Sequence, residues 1–425
     1  MRSVTVLMLM ILAAASVRAQ SASSPTETNL SPAERSIAQA EKLIAKNPKD
    51  FEAYNALALA LSRRARETSD VKFYALADQA LQRSFEISAG NFDGEWTHVW
   101  LLLGKHEFAA ALEEGKKLNK KMPDDVMVYG FLTDANVELG NYSDAEKACQ
   151  RMLDLRTGNL PAITRAAYLR ELFGETDGAI ELMNMALQST PPAQAEDGAW
   201  ILTQTAHLYL STGNLDKSEK LLRQALAMFP GYHYALGNLA KVRIQQKRYG
   251  EAVDRLQQRY QAAPHAENLY DLAEALQLAG RTDEAKKAFA EFEQKSMAET
   301  NRADNSNHEL IFYYADHANQ PAKALEVANR EIARRHDVFT LDAYAWALYR
   351  NGEYADARRQ IETVLAVGIR DAKMFRRAGE IALKAGDRPA AERYLQLAVQ
   401  LNTLGSEQAE TTLASLQNPN RKTAR

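Results

Sequence analysis

The sequence predicts an all-α chain built as one α-solenoid of antiparallel helix pairs. Three observations carry that prediction. A turn mark recurs about every 34 residues, apolar residues step by three and four on either side of it, and alternating β-branched runs are missing across the 425 residues. At 46% hydrophobic and 25% charged, the composition excludes a wholly disordered or collagen-like chain. A repeat array can be this long and still form one continuous body.

The mark is a Gly, or a polar stand-in, five residues before a small residue. It falls at Gly104/Ala109, Gly140/Ala145, Gly174/Ala179, Gly213/Ser218, Lys247/Ala252, Gly280/Ala285, Asn319/Ala324, Gly352/Ala357 and Gly386/Ala391. Six of the eight successive spacings lie within two residues of 34, and the other two, at 39, read as five-residue insertions. Before a turn stands a segment such as Leu269, Leu272, Ala273 and Leu276. After it comes one such as Ala285, Ala288, Phe289 and Phe292. Both have the amphipathic helical period. A Gly between them suits a helix end that needs a left-handed residue.

In chain order, Met1-Arg2, the apolar run Val4 to Ala15 and Val17-Arg18-Ala19 predict a signal peptide over residues 1–19, cleaved ahead of Gln20. The run is about 12 residues, short of the ~20 that a bilayer span needs. Residues 20–30, rich in Ser, Thr and Pro, read as a flexible leader. The repeat array is expected over 31–401, opening on a lone helix from Ser31 to Lys46. Ser31-Pro32-Ala33-Glu34 marks its start as a capping box with Pro at the first helical position, and Ser143 to Glu146 reads as a second box. A longer inter-helix turn is expected from Arg64 to Lys72. The insertions, at 188–198 and 295–305, are where the array would bend or divide. A capping helix is expected within 402–417 and a disordered basic tail at 418–425.

These residues resemble the tetratricopeptide repeat (TPR) family. The match is Leu269-x2-Leu272-Ala273-x2-Leu276 with Ala285-x3-Phe289, and Leu202-x3-Ala206-x2-Tyr209 with Ser218-x3-Leu222-x2-Ala225 and Pro230. Further copies are Leu236-x2-Leu239-Ala240 with Ala252-x3-Leu256 and Pro264, and Phe375-x2-Ala378-Gly379-x2-Ala382 with Ala391-x3-Leu395. Small residues are needed there because bulk would push paired helices apart. The resemblance implies about ten repeats in a right-handed superhelix. Two copies depart from the pattern. Residues 90–125 carry Trp96 and Trp100 with Thr97 at a small-residue site, and residues 305–337 carry Phe312 at that site; either is expected to be distorted or broken.

Chemistry is sparse. A single cysteine, Cys149, excludes intrachain disulfides and multi-cysteine metal sites, and its place between Ala145 and Met152 predicts burial. His106-Glu107 and His308-Glu309 lack the second His of a helical zinc site, and no phosphate loop, dinucleotide fingerprint or nucleophile elbow occurs. No cofactor and no metal are expected. A net charge of −3 gives no basic footprint for nucleic acid.

In a TPR superhelix the first helices line the concave side, so the resemblance implies a groove for a protein or peptide partner. The groove candidates are Arg165, Tyr168, Gln204, His207, Asn238, Lys241, Asp271, Glu274, Tyr313, Asp342, Trp346, Arg377 and Glu380. Tyr168, Tyr313, Trp346 and Arg377 stand out as aromatic and Arg anchors. A carboxylate clamp of the family's chaperone-binding kind is not expected, because Glu267, Asp271 and Glu274 follow Asn238 and Lys241. The expectation is a non-catalytic scaffold of the cell envelope, periplasmic or extracellular, not membrane-spanning once the signal is cleaved, with a bacterial source assumed. Two rivals are an enzyme or enzyme subunit with a site between irregular repeats near His308 and His317, and self-association through a solenoid end or through Trp96 and Trp100.

Overall fold

The computed structural model describes residues 30–191, 194–302 and 305–417. The expected signal peptide, most of the leader and the basic tail lie outside the described residues. Within them the chain forms twenty-two α-helices and no strand. Setting aside α1 (Pro32–Lys46) and α22 (Ser406–Gln417), the helices pair into ten consecutive hairpins. The Ser31 capping box is present: the Ser31 amide donates to Glu34 Oε2 at 2.8 Å and the Glu34 amide to Ser31 Oγ at 3.2 Å.

The hairpin turns share one local design. After α6 (Val126–Glu138), Gly140 takes φ +75°; its amide bonds to the Val137 carbonyl and that of Asn141 to the Asn136 carbonyl. This pairing satisfies helix-end carbonyls and requires a left-handed residue. The same pair of bonds recurs around Gly174, Gly213, Gly280, Gly352 and Gly386, with Lys247 bearing the left-handed conformation at φ 60°. Five residues later the small side chain is buried in every case, from Ala145 and Ala179 to Ala357 and Ala391.

Four local expectations are corrected. In the hairpin of α4 (Phe92–Gly104) and α5 (Phe108–Lys121), the left-handed residue is His106, not Gly104, and the buried small residue is Ala111, not the exposed Ala109. Gly104 is the last residue of that helix, where a side chain would strike Tyr74. Ser143 is not an N-cap: α7 (Tyr142–Leu155) starts a residue before it, directly out of the Gly140 turn. The Arg64 to Lys72 turn shrinks to three residues, because α2 (Phe51–Thr68) continues to Thr68 with Arg64 bridging Glu34 and Glu67. Of the bend or division expected at the insertions, division does not occur: across the first, Ala186 and Ile201 share one buried cluster. Part of the second simply lengthens α15 (Thr282–Glu299), and one apolar core runs unbroken from Ala240 to Ala347 past it.

The irregular copy near residue 312 is distorted, not broken. α16 (Asn307–Phe312) runs into a π-helical turn over Tyr313–His317 before α17 (Pro321–Ile332). The wider turn sends the Tyr313 and Tyr314 hydroxyls to Glu293, at 3.1 and 2.9 Å. Trp96 and Trp100 stack at 6.3 Å and meet the edge of Phe131, so they serve the core of the early repeats.

The superhelix winds tightly enough for its second turn to lie on its first. The His336 amide donates to the Glu138 carbonyl at 3.0 Å, the Val338 amide to Tyr142 Oη at 2.9 Å, and Arg335 pairs with Glu138 at 2.6 Å. Further along, Gln245 donates to the Asn402 carbonyl at 2.8 Å and Lys247 pairs with Glu407 at 2.6 Å. At each contact the intra-hairpin turns of the first superhelical turn meet the inter-hairpin loops of the second. Apolar side chains fill the seam: Val137, Leu169 and Leu172 share a buried cluster with Val338, Ile369 and Met374. α2 closes the same way, with Arg66 pairing with Glu196 and, at 3.2 Å, with Asp197.

Candidate partner-binding channel

The first helices of the hairpins face the superhelix axis and carry most of the predicted groove residues, but largely in pairs that satisfy each other. On α8 (Leu160–Leu172), Arg165 forks onto Asp134, its Nε at 2.8 Å and Nη2 at 2.5 Å, and passes over Gly130, where an added Cβ would lie 3.1 Å from its Cζ. Tyr168 is half-buried against the seam cluster, and burial holds its hydroxyl pKa well above the usual value. On α10 (Ala195–Ser211), His207 contacts Glu171 at 2.9 Å and Gln204 is half-buried.

The middle of the channel is ionic. Asn238 and Lys241 lie on α12 (His233–Gln245), and Asp271 and Glu274 on α14 (Ala266–Leu278). Asp271 pairs with Arg259, which reaches in from the second helix α13 (Tyr249–Ala262). Arg259 passes Gly237, where a side chain would lie 3.0 Å from its Nε. It also binds Glu267 at 2.9 Å, and although burial disfavours its charge, Asp271 and Glu267 hold the guanidinium ionised. Glu267 has a raised pKa, because burial and the nearby Glu309 outweigh Arg259. Burial also opposes ionisation of Glu274, but the His317 ring at 3.5 Å and the charge of Lys373 prevail and lower its pKa.

Lys241 is exposed to the channel and forms no ion pair among the described residues. The crowding walls depress its ammonium pKa, Asp271 opposes, and Arg259 and Lys373 push it further down. Lys373 belongs to α20 (Ala372–Lys384), so first helices of both superhelical turns address one volume. Asn238 bonds back to the Tyr234 carbonyl at 3.0 Å, leaving its buried Oδ1 without a partner.

The distal candidates are wall, not lining. Asp342, on α18 (Val338–Arg350), is 1% exposed and forks with Arg377, itself 8% exposed. Trp346 is 3% exposed; its Nε1 donates to Asp316 at 3.0 Å, and Arg350 and Arg376 flank its ring. Tyr313 stacks on Phe289 and is tied to Glu293, and Glu380 pairs with Arg376. Trp346 and Arg377 were expected as open anchors, but pairing with adjacent repeats, Trp346 with Asp316 and Arg377 with Asp342, removes both from solvent. His308 and His317 stay apart in role: His308 contacts Glu309 and the edge of Phe312, His317 meets Glu274 and Phe289. Sequence reasoning missed Arg259 and Lys373, and counted Glu267 only as a charge against a carboxylate clamp. The one signal was Gly237 within a first helix, a gap through which a second-helix side chain can pass.

Ten helical hairpins with small residues at their contacts, wound around a polar axis, define a helical-repeat solenoid. Residues 203–267 and 343–405 carry tetratricopeptide repeats, matching the Tetratricopeptide repeat family model TPR_16. Among solved structures it is similar to the human IFIT1 dimer with PPP-AAAA, with a TM-score of 0.50 and 13% identity over 86% of this chain and 85% of that one. It is also similar to a chain of the APC/C heterotetramer Cut9–Hcn1, with a TM-score of 0.45 and 14% identity over 89% of this chain. That match spans 59% of the other chain, less than two thirds of its length. PilW, a type IV pilus biogenesis factor, is similar over 48% of this chain and 92% of its own, with a TM-score of 0.42 and 13% identity. At such identities the likeness is one of fold alone. No curated protein matches by sequence.

Proposed function

We propose that the protein is a non-catalytic scaffold of the cell envelope that holds segments of other proteins in its axial channel and helps assemble a complex. The observation that carries this reading is the pair Lys241 and Lys373, exposed channel cations that form no ion pair among the described residues, although Arg165, Arg259 and Glu274 nearby are paired. With Gln204, His207 and Glu274 they offer both charges and amide groups to an extended peptide. A protein partner is favoured over RNA, although the IFIT1 neighbour holds PPP-AAAA, because Glu267, Asp271, Glu274 and Glu309 would face the phosphates. The envelope assignment rests on the apolar run Val4 to Ala15 between Arg2 and Arg18.

A photocrosslinking residue at Lys241, compared with one at Lys116 on the outer helix α5, tests the channel. Adducts are expected from position 241 only, and equal capture at both positions would sink the assignment. N-terminal sequencing of the protein from its native host tests export: a start at Gln20 is expected, and an intact Met1 in the cytoplasmic fraction ends the envelope reading.

A further inference from the structure

The seam between the two superhelical turns leaves matching surfaces unused at both ends. In the first turn the intra-hairpin glycines are covered. An added Cβ at Gly140 would lie 2.7 Å from the His336 carbonyl oxygen, and one at Gly174 would lie 2.5 Å from that of Gly368. In the second turn the equivalent Gly280, Gly352 and Gly386 are open, with no atom of the described residues within 4 Å of such a Cβ. The register is the same in both turns. Tyr142, two residues after Gly140, accepts the Val338 amide across the seam. Tyr354, two residues after Gly352, is 36% exposed, and its hydroxyl has no hydrogen-bond partner among the described residues.

We propose that this open turn edge is a self-association surface whose occupant is the opposite, loop edge of a second copy of the chain. That loop edge is also free among the described residues: Gly158 has none of their atoms within 4 Å of an added Cβ, and Met122, in the neighbouring loop, is 49% exposed. The argument is continuity. Within one chain, turn edges already dock on loop edges through amide bonds and glycine contacts, and one chain ends its winding with an unsatisfied edge of each kind. A contact between unlike edges is heterologous, so copies add head to tail along the superhelix axis. The loss of one surface cannot be replaced by the other. The channel reading is independent of this one, and either can fail alone.

Sedimentation velocity on the protein and two edge variants tests it. Tyr354→Glu disables the turn edge and Met122→Glu the loop edge; both side chains are exposed, and a helical circular dichroism spectrum confirms each variant is folded. The wild type is expected to gain mass with concentration, and each variant alone to stay monomeric. An equimolar mixture is expected to form dimers and nothing larger, because one intact edge of each kind remains. A wild type that stays monomeric at high micromolar concentration overturns the proposal. So does a variant that still associates alone, or a mixture that fails to pair.

Discussion

Gly174 and Gly368 touch backbone to backbone although 194 residues separate them: a Cβ on Gly368 would lie 2.7 Å from the Phe173 carbonyl oxygen. Gly368 also has φ +114°, where any side chain is strained. The contact lets the second superhelical turn settle on the first. Gly368→Ala is therefore expected to cost about 2–4 kcal/mol, combining backbone strain with a clash against carbonyl atoms. Gly386→Ala, at φ 84° but in open space, is expected to cost about 1–2 kcal/mol. Thermal melts of the two variants decide the matter, and equal losses would deny the seam its steric role.

The Asp342–Arg377 pair is buried on both sides. Asp342→Ala leaves a guanidinium without its counter-ion and is expected to destabilise by about 3–5 kcal/mol. Replacing both residues together, Asp342→Leu with Arg377→Met, is expected to recover most of that loss. Urea unfolding of the three variants measures it; a double variant as weak as the single one would show that the pair does more than satisfy itself.

His233 should make the closure of α2 acid-sensitive. It is 1% exposed, its Nε2 lies 3.2 Å from the Arg66 carbonyl, and burial lowers its pKa to about 4. A folded-state pKa below the usual 6.5 means the neutral ring is favoured, so its contribution is full above that value and is lost as pH falls toward about 4. Hydrogen exchange of the α2 amides at stepped pH should rise through that window, and His233→Gln should flatten the response.

Glu138 acts with the opposite sign. Burial raises its pKa to about 7; Arg335 opposes the shift, whereas Asp337 and Asp134 add to it. Asp337 keeps its charge against burial because Arg335 and Thr340 also bind it, so one guanidinium serves two acids. The contribution of protonated Glu138 to the seam is full below about 4.5 and is lost as pH rises through about 7. Zero-length coupling of Lys247 to Glu407 reports seam closure. Its yield in Glu138→Gln should vary less with pH between 5 and 8 than in the wild type, after normalising for reagent efficiency, and identical profiles would refute this role.

Cys149 is buried, its Sγ sits 3.7 Å from the Ala162 carbonyl oxygen, and burial, partly offset by Arg165, raises the thiol pKa to about 11. A disulfide reagent at neutral pH should modify it at least about tenfold faster in denaturant than in the native protein. A fast native reaction would show that α7 opens readily.

Periodicity alone made the helices, the hairpins and their number legible, because a repeat unit is specified by residues within some 34 positions of each other. Gly140, Ala145, Ala252 and Leu269 announce their roles through spacing, and the Ser31 capping box is readable letter by letter. The slip at Gly104 came from reading the glycine when the backbone conformation belonged to His106. What the sequence by itself could not determine was the pitch of the superhelix, since small differences in packing angle add up over many hairpins. Only the tertiary structure decided that the coil is tight enough for Glu138 to reach Arg335. Packing between adjacent hairpins buries Trp346 and Arg377 as wall and leaves Lys241 facing the axis. Contacts between residues nearly 200 positions apart leave no mark at the repeat spacing, and they determine which hairpin turns are covered, as Gly140 and Gly174 are.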